Sequence, residues 1–498
     1  MMKPSPDFLA VTRSERTIAG ASRLTPVAAL LVAVTLLAAC ASTPAPTVGP
    51  TSPAPTASAP TSPPATQITE EGLRDRLDAL AALSTKADGF RAVGSTGYDA
   101  AADLVISDLQ ASGWQVQEDA FTTPAFFDDG GSRLEVAEQA FQAGDVAPLI
   151  FAPGGEVTGP VVAIDWETPE STGAGCSAAG YGDLPEGAIV LVPPGVCFRR
   201  DQVVAAQAAG AAAFVAGYPA AAAGSVLRPT LVDPDGLTIP AAGASGPAVA
   251  ALIDVAAKGG DATLVTDART VPSPTRSIIA ELPGSEPDSV IMLGAHLDSV
   301  IDGPGVNDNG SGVAALLEIA RSLGGATPRS TIRLGFWGAE EVGLHGSFHY
   351  FEGLSAEERE AIRVYLNADM VASPNGYAAV YNESGAPAGS ATVRDLLAAA
   401  IERAGGTPQI LELGGGSDHL AFQQGGIPIG GVFSGANETV SPQQATASGS
   451  KAGAPADPCY HMACDDGSDL DLGLARMLTS ALAEVAGDLA NEPTLLED

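Results

Sequence analysis

The chain has 498 residues, of which 45% are hydrophobic and 17% are charged, and its formal net charge is −35. Because a single core stops growing at roughly 250–300 residues, this length predicts two folded units and some additional chain. The hydrophobic content excludes global disorder. A surface this acidic would repel nucleic acid and anionic lipid headgroups, so neither is expected as a partner.

The N-terminal segment is predicted to direct export. Three arginines precede an apolar run over residues 26–39, which has the length of a signal-peptide core and falls short of the roughly 20 residues that span a bilayer. The run ends in Leu-Ala-Ala-Cys at Cys40, which resembles the bacterial lipobox, where the cysteine is lipidated. Residues 1–40 are therefore interpreted as a lipoprotein signal peptide that leaves the protein anchored at the outer face of the cell membrane. Cleavage by ordinary signal peptidase, which would give a secreted protein, is the alternative.

Residues 41–67 are almost wholly Pro, Thr, Ser and Ala, a composition that cannot bury a core and favours extended conformations. This segment is predicted to be a linker. The chain contains five cysteines, and the lipobox leaves four that could pair in an oxidising compartment. The sequence-near pairs are Cys176 with Cys197 and Cys459 with Cys464, although four cysteines allow three connectivities.

The folded sequence is divided into a main domain and an insert. Residues 68–145 contain two segments with helical periodicity and are assigned to the first part of the main domain. Residues 146–265 change to short β runs and an alanine-rich helix. Within them, residues 180–218 resemble the protease-associated (PA) domain, a small β-rich module inserted in several exopeptidase families. Residues 266–498 are assigned to the second part of the main domain.

In this second part, apolar strand segments alternate with helical segments. The strands are largely apolar, as expected for strands covered on both faces. This alternation predicts an α/β sandwich with a mostly parallel central sheet, whose ligands bind at the carboxyl ends of the strands. The predicted strands cover residues 277–282, 289–295, 331–338, 364–370 and 427–433.

Three of these strands end in side chains that can bind metal. His296 follows the second strand, Glu340 and Glu341 follow the third, and Asp369 lies at the end of the fourth. Because the ends of neighbouring parallel strands meet at one edge of a sheet, these side chains are expected to lie together.

Two further candidates lie in loops. Asp308 lies in the glycine-rich turn GVNDNGSG, where a short carboxylate can be aimed with little side-chain freedom to lose. His461 lies in DPCYHMACD, a loop that a bridge between Cys459 and Cys464 would stiffen. Two imidazoles and three carboxylates form a set of nitrogen and oxygen ligands that suits two zinc ions. Glu340, an unligated carboxylate beside Glu341, is placed to act as a general base.

Six ordered motifs carry a family resemblance: HLDS, GVNDNGSG, WGAEEVGLHGS, NADMVAS, SDHLAFQQGGIPIGGVFSG and DPCYHMACD. Together they resemble the secreted bacterial leucine aminopeptidases and the aminopeptidase Y group, which are co-catalytic dizinc exopeptidases. The match covers about residues 68–145 and 272–490, so the main domain is interpreted as a peptidase domain with the three-layer zinc exopeptidase fold. The implied activity is hydrolysis of the N-terminal bond of peptides by a water that bridges the metals.

The resemblance also implies a role for each residue. His296 and Asp369 would bind one zinc ion, Glu341 and His461 would bind the other, and Asp308 would bridge them.

The same resemblance makes Glu340 the general base. Asp298 would orient the imidazole of a ligand, and the hydroxyl of Tyr460 would stabilise the oxyanion. Gly416 departs from the pattern, since a basic residue is expected before the Ser-Asp-His triplet at 417–419.

Three alternatives remain open at this stage. A carboxypeptidase or dipeptidase of the same family would need cationic groups for a terminal carboxylate, and few flank the motifs. A glutaminyl cyclase would use a single zinc ion. A receptor-like binding protein would have lost ligands, whereas all five and the base are present. The favoured interpretation is a monomeric aminopeptidase whose partners are peptides with a free N-terminus.

Overall fold

The computed structural model describes residues 67–164, 166, 173, 175–195, 197–218, 221 and 226–496. The predicted signal peptide, Cys40 and the linker up to residue 66 lie outside the described residues. Within the described part of the chain, no helix is both long enough and apolar enough to cross a bilayer.

Helices and strands alternate along most of the described chain. The helices are α1 (Glu70–Lys86), α2 (Thr96–Ala111), α3 (Arg199–Ala208), α4 (Gly246–Ala257), α5 (Gly310–Leu323), α6 (His345–Gly353), α7 (Ala356–Ala361), α8 (Ser390–Arg403), α9 (His419–Gln424), α10 (Pro442–Ser448) and α11 (Leu472–Asn491). The strands are β1 (Gln115–Asp128), β2 (Arg133–Val136), β3 (Gln139–Phe141), β4 (Val146–Pro148), β5 (Gly155–Ala163), β6 (Ile189–Val192), β7 (Ala213–Gly217), β8 (Ala241–Ala244), β9 (Asp261–Thr266), β10 (Ala268–Leu282), β11 (Glu286–His296), β12 (Ser330–Trp337), β13 (Ile362–Ala368), β14 (Ala379–Tyr381), β15 (Gln409–Leu411) and β16 (Ile429–Phe433).

The first sheet has the strand order β1-β10-β12-β11-β13-β16-β14-β15. Its centre, from β12 to β16, is parallel, and β1, β10 and β14 add antiparallel pairings. One face is covered by an apolar cluster that includes α1, α2, α5, α8 and α11, and the other by a cluster that includes α6 and α9. The predicted α/β sandwich with a mostly parallel sheet is confirmed.

The second sheet has the order β3-β2-β9-β5-β6-β7-β8-β4, with a parallel centre from β5 to β8. It lies at the far end of the long β1–β10 ribbon, between Asp128 and Ala268. β2 and β3 belong to this sheet because β2 pairs with β9, so the sheet begins upstream of the boundary predicted at residue 146. Both sequence-near disulfides, Cys176–Cys197 and Cys459–Cys464, are formed.

A shared apolar cluster joins the two sheets beside the predicted site. Phe126 at the end of β1 packs in this cluster with Ile150, Phe151 and Leu231 from the insert. Val342, which directly follows Glu341, belongs to the same cluster. The insert is therefore packed against the segment that carries two of the predicted site residues.

Candidate metal centre

The side chains predicted at the strand ends meet at one edge of the first sheet. His296 is the last residue of β11, and Asp369 directly follows β13. Glu340 and Glu341 come three and four residues after the last residue of β12. β11 is nearly all buried over its second half, because both faces are covered. These strands therefore end where their polar residues leave the core.

The five predicted ligands converge. His296 Nε2 lies 3.2 Å from Asp308 Oδ1 and 3.3 Å from Asp369 Oδ1. His461 Nε2 lies 3.0 Å from Asp308 Oδ2 and 3.1 Å from Glu341 Oε2. The ligand atoms form two groups that share Asp308, and within each group they lie no more than 4.8 Å apart.

The donor set fits a metal ion. Glu341 Oε1 is buried and has no hydrogen-bond partner among the described residues. A buried carboxylate oxygen without a partner is costly, and a bound cation would satisfy it. Imidazole nitrogen and carboxylate oxygen are ligands that zinc accepts, and both groups offer at least one of each.

The electrostatics of the cluster favour cations. Burial raises the pKa of Asp308, but hydrogen bonds from His296 and His461 outweigh this and hold its pKa well below the usual value. Burial lowers the pKa of both imidazoles, and the surrounding carboxylates more than reverse this, so the pKa of each lies well above its usual range. This excess of negative charge attracts divalent cations.

Glu340 lies beside the shared cluster. Its Oε2 is 4.0 Å from His296 Nε2, and it forms a third, overlapping group with His296 and Glu341. Burial raises the pKa of Glu340 well above its ordinary value, with Glu341, Asp418 and Asp369 adding to the shift against the opposing effect of His296. This carboxylate therefore binds a proton more readily than an exposed glutamate.

Asp298 has a different set of contacts from the one the sequence suggested. The imidazole Nδ1 of His296 lies 3.1 Å from the backbone carbonyl of Asp298 and 3.9 Å from its carboxylate. The buried carboxylate instead accepts hydrogen bonds from the backbone amides of Glu340, at 3.0 Å, and Glu341, at 3.2 Å. Burial raises the pKa of Asp298 to about 6. Asp298 thus fixes the segment that carries Glu340 and Glu341.

Tyr460 and His461 are stacked, with ring centroids 3.8 Å apart. Both side chains line a cavity of about 330 Å³ that reaches the cluster. Burial, followed by the neighbouring carboxylates, raises the pKa of Tyr460 well above its usual value. The hydroxyl therefore stays protonated and able to donate a hydrogen bond.

Sequence reasoning missed three residues that support the cluster. The carboxylate of Asp465 accepts hydrogen bonds from the amides of Asn307 and Asp308. Arg91 lies beneath the same loop and is fully buried. Ser417 donates a 2.6 Å hydrogen bond to Asp369 Oδ2. Ser417 and Asp465 could have been found, because Ser417 lies in the Ser-Asp-His triplet and Asp465 is the last residue of the DPCYHMACD motif, whereas Arg91 lies outside all six motifs.

Comparisons with known proteins decide the family. Residues 277–486 match the model of peptidase family M28, and residues 157–252 match that of the PA domain. The aminopeptidase of Pseudomonas aeruginosa is 33% identical over 444 residues, which cover 85% of this chain and 81% of the relative. The chain belongs to peptidase family M28. A second relative, named "Probable lipoprotein aminopeptidase LpqL", from Mycobacterium tuberculosis, is 35% identical over 81% of this chain and 82% of its own length.

Solved structures match the fold of this M28 peptidase over most of its length. An aminopeptidase from Aneurinibacillus sp. strain AM-1 has a TM-score of 0.68 at 23% identity, covering 86% of this chain and 95% of that protein. A zinc aminopeptidase from Bacillus subtilis has a TM-score of 0.67 at 22% identity, covering 86% and 96%. The family resemblance drawn from the six motifs, the α/β fold and the PA domain are thus confirmed.

Proposed function

We propose that this M28 peptidase is a dizinc aminopeptidase. His296 and Asp369 would hold one zinc ion, Glu341 and His461 would hold the other, and Asp308 would bind both. The main support is that Asp308 presents one carboxylate oxygen to each imidazole, at 3.2 and 3.0 Å. The relatives named aminopeptidases, which align with most of this chain, support the reaction class.

The chain's own residues account for the proton transfers. Bound zinc would supply Lewis-acid chemistry, polarising a carbonyl and lowering the pKa of water. Glu340 takes the proton from the attacking water and passes it to the nitrogen of the leaving amine. The carboxylate of Asp298 holds Glu340 in place by accepting a hydrogen bond from the backbone amide of Glu340. Tyr460 donates its hydroxyl proton in a hydrogen bond to the carbonyl oxygen as negative charge develops there.

The cavity at the cluster fits the first residue of a peptide. One part of the cavity is lined by acidic side chains, which suit an α-ammonium group. Another part suits an apolar side chain, because it is lined by Met370, Leu411, Leu413 and Phe433. In the described residues, no Lys or Arg lines this cavity. Arg228 lines a neighbouring cavity, but it is already paired with Asp128 and Asp302. These features favour an aminopeptidase over a carboxypeptidase.

Two substrates and one variant test the proposal. Purified protein should hydrolyse leucine p-nitroanilide and leave N-acetyl-leucine p-nitroanilide intact. Glu340→Gln should keep its zinc and lose about 10²–10⁴-fold in kcat, because the base is gone while the proposed ligands remain. Glu357→Gln, on an exposed position of α7, is the control and should match wild type. Cleavage of only the blocked substrate, or full activity of Glu340→Gln, would contradict the proposal.

Metal content separates the remaining alternatives. Two zinc ions per chain in the active protein support the dizinc site, whereas one would favour a glutaminyl cyclase. Zinc binding without hydrolysis of any aminoacyl substrate would favour a receptor-like protein.

We further propose that the protein is exported, anchored through a lipid on Cys40 and monomeric. The apolar run and the lipobox-like residues support the anchor, as does the similarity to the Mycobacterium tuberculosis relative that is named a probable lipoprotein. Wild type expressed in a bacterial host should partition with membranes, and Cys40→Ala should not. If Cys40→Ala partitions with membranes as wild type does, the lipid anchor is contradicted. If the Cys40→Ala protein, purified without detergent, sediments as a dimer, the monomer is contradicted.

A further inference from the structure

A second cavity, of about 440 Å³, lies between the insert and the peptidase domain. We call it the interdomain groove. Its walls include Val146, Leu227 and Arg228 from the insert and Asp302, His461 and Met462 from the peptidase domain. Its size falls in the range of roughly 300–1,000 Å³ that is typical of ligand sites.

The groove begins at the candidate metal centre. His461 lines both the groove and the cavity that holds the zinc-binding side chains. The two loops that carry Asp302 and Met462 touch, because a Cβ atom on Gly303 would lie 2.2 Å from the carbonyl oxygen of Met462. His461 therefore stands between the two cavities.

The insert side of the groove is held in place by backbone contacts. Val226 donates a 3.0 Å hydrogen bond to the carbonyl of Gly144. A Cβ atom on Gly243 of β8 would lie 2.1 Å from the carbonyl oxygen of Leu227, so only glycine permits this approach. Leu227 is nevertheless 43% exposed. An apolar side chain is thus held at the groove without a partner that buries it.

Arg228 fixes the far wall. Its Nε lies 2.8 Å from both oxygens of Asp302, and a second ion pair joins it to Asp128. Paired and largely buried guanidinium groups of this kind are held more rigidly than exposed ones. Two carboxylates facing one guanidinium leave this wall with a net negative charge.

We propose that the interdomain groove binds the leaving part of the peptide, meaning the residues after the scissile bond. This inference rests on the proposed aminopeptidase function. With the first residue in the metal cavity, the residues after it can extend past His461 into the groove, which shares that side chain with the metal cavity. Leu227 offers apolar contact to the passing chain. The negative wall favours basic or neutral residues downstream and disfavours acidic ones.

Two substrates distinguish the groove from the metal cavity. Leucine p-nitroanilide has a leaving group of one ring, whereas the tetrapeptide Leu-Ala-Ala-Ala extends beyond His461. Leu227→Asp should lower kcat/KM for the tetrapeptide about tenfold, chiefly through KM, and leave the anilide unchanged. Ile253→Asp, an exposed apolar position on α4 that does not line the groove, is the matched control and should change neither.

A second variant protects the test against misfolding. Ala143 is exposed and lines the groove, so Ala143→Trp should narrow it and selectively slow the tetrapeptide. Wild type should also cleave Leu-Ala-Lys-Ala faster than Leu-Ala-Asp-Ala. If both variants cleave the tetrapeptide as wild type does, or if they slow both substrates equally, the groove is not the binding site. Failure of wild type on the anilide itself would instead refute the proposed function.

Discussion

The backbone amide of Asp308 donates a 3.0 Å hydrogen bond to the buried carboxylate of Asp465. The other carboxylate oxygen of Asp465 accepts the amide of Asn307 at 2.7 Å. Asp308 is the residue that both ligand groups share, so its position sets the separation of the two groups. Asp465 therefore acts on the proposed metal centre through the backbone of the ligand that both proposed zinc ions would share.

Replacing Asp465 should weaken zinc binding. Asp465→Ala leaves two buried amides unpaired and frees the turn that aims Asp308, so we expect about 10–100-fold weaker zinc binding. Competition with a chromogenic chelator measures the affinity. Asp466→Asn is the control, because the exposed carboxylate of Asp466 bonds to the neighbouring Ser468. Equal zinc affinity in Asp465→Ala and wild type would contradict this role.

Arg91 holds the same loop from the other side. Its Nε donates to the carbonyl of Leu297 at 3.1 Å and its Nη2 to that of Gly305 at 3.0 Å, and its Nη1 donates to Pro304. Arg91→Met would remove three hydrogen bonds from a buried charged donor, each worth more than one from a neutral group, and should lower the free energy of unfolding by about 3 kcal/mol or more. Urea denaturation of the metal-free protein measures this change.

Arg91→Lys should recover part of the loss, because the ammonium can reach some of the carbonyls. Arg329→Met is the control, since Arg329 forms a half-exposed ion pair with Glu286 and should contribute less than about 1 kcal/mol. An equal effect of Arg91→Met and Arg329→Met would show that Arg91 does not hold the loop.

The sequence predicts the five ligands because a simple rule applies to most of them. His296, Glu341 and Asp369 follow buried apolar strands, and the ends of parallel strands meet at one edge. The contacts of Asp298, Arg91 and Asp465 follow no such rule. They involve backbone groups of two loops, at residues 340–341 and 297–308, and a hydrogen bond to a distant backbone group leaves no periodic pattern in the sequence.

The fold was predictable to a similar extent. The apolar strands β11, β12, β13 and β16 are recognisable because both faces are covered. The start of the second sheet at Arg133 could not be predicted, because β2 pairs with β9, and the residues of β9 lie more than a hundred positions later in the chain. Such non-local pairing depends on the folded structure rather than on the local composition.

Removal of metal should destabilise the protein. Zinc that binds the folded state alone stabilises it by about 2.7 kcal/mol at a hundredfold excess over Kd. Bound zinc would also reduce the electrostatic repulsion between the carboxylates of the site. Thermal melting with EDTA should therefore give a lower Tm than melting with zinc. In Asp308→Ala, which lacks the shared ligand, the zinc-dependent shift should shrink strongly, and a shift of wild-type size would contradict the assignment.

The Cys459–Cys464 bridge should matter for the metal more than for the overall fold. It closes the loop that carries His461, which has a positive φ of 58°. The double variant Cys459→Ser/Cys464→Ser should bind zinc more weakly than wild type. Without the bridge the loop is less ordered, so His461 has to become ordered when zinc binds. Cys176→Ser/Cys197→Ser removes the bridge in the insert and should leave zinc affinity unchanged. Equal zinc affinity in the two double variants would contradict this prediction.

His419 should make the free energy of unfolding depend on pH. The side chain is fully buried at the start of α9, and burial lowers its pKa from the ordinary value of 6.5 to about 4. The neutral ring is therefore favoured in the folded protein, whereas the unfolded chain binds a proton as the pH falls below 6.5. This contribution is fully present above pH 6.5 and is lost as the pH falls to about 4, an effect on the order of 3 kcal/mol.

Denaturation by urea between pH 4 and 7.5, in EDTA, measures the effect as the difference between wild type and His419→Leu. Asp418, whose pKa burial raises to about 7, changes stability in the opposite direction, but it is present in both proteins and its effect largely cancels. The free energy of unfolding of wild type minus that of His419→Leu should fall as the pH falls, because only wild type loses the contribution of a neutral histidine. Phe422→Leu removes buried ring packing without a titrating group, so its gap from wild type should stay constant. A constant gap for His419→Leu as well would mean that the ring does not resist protonation in the folded state.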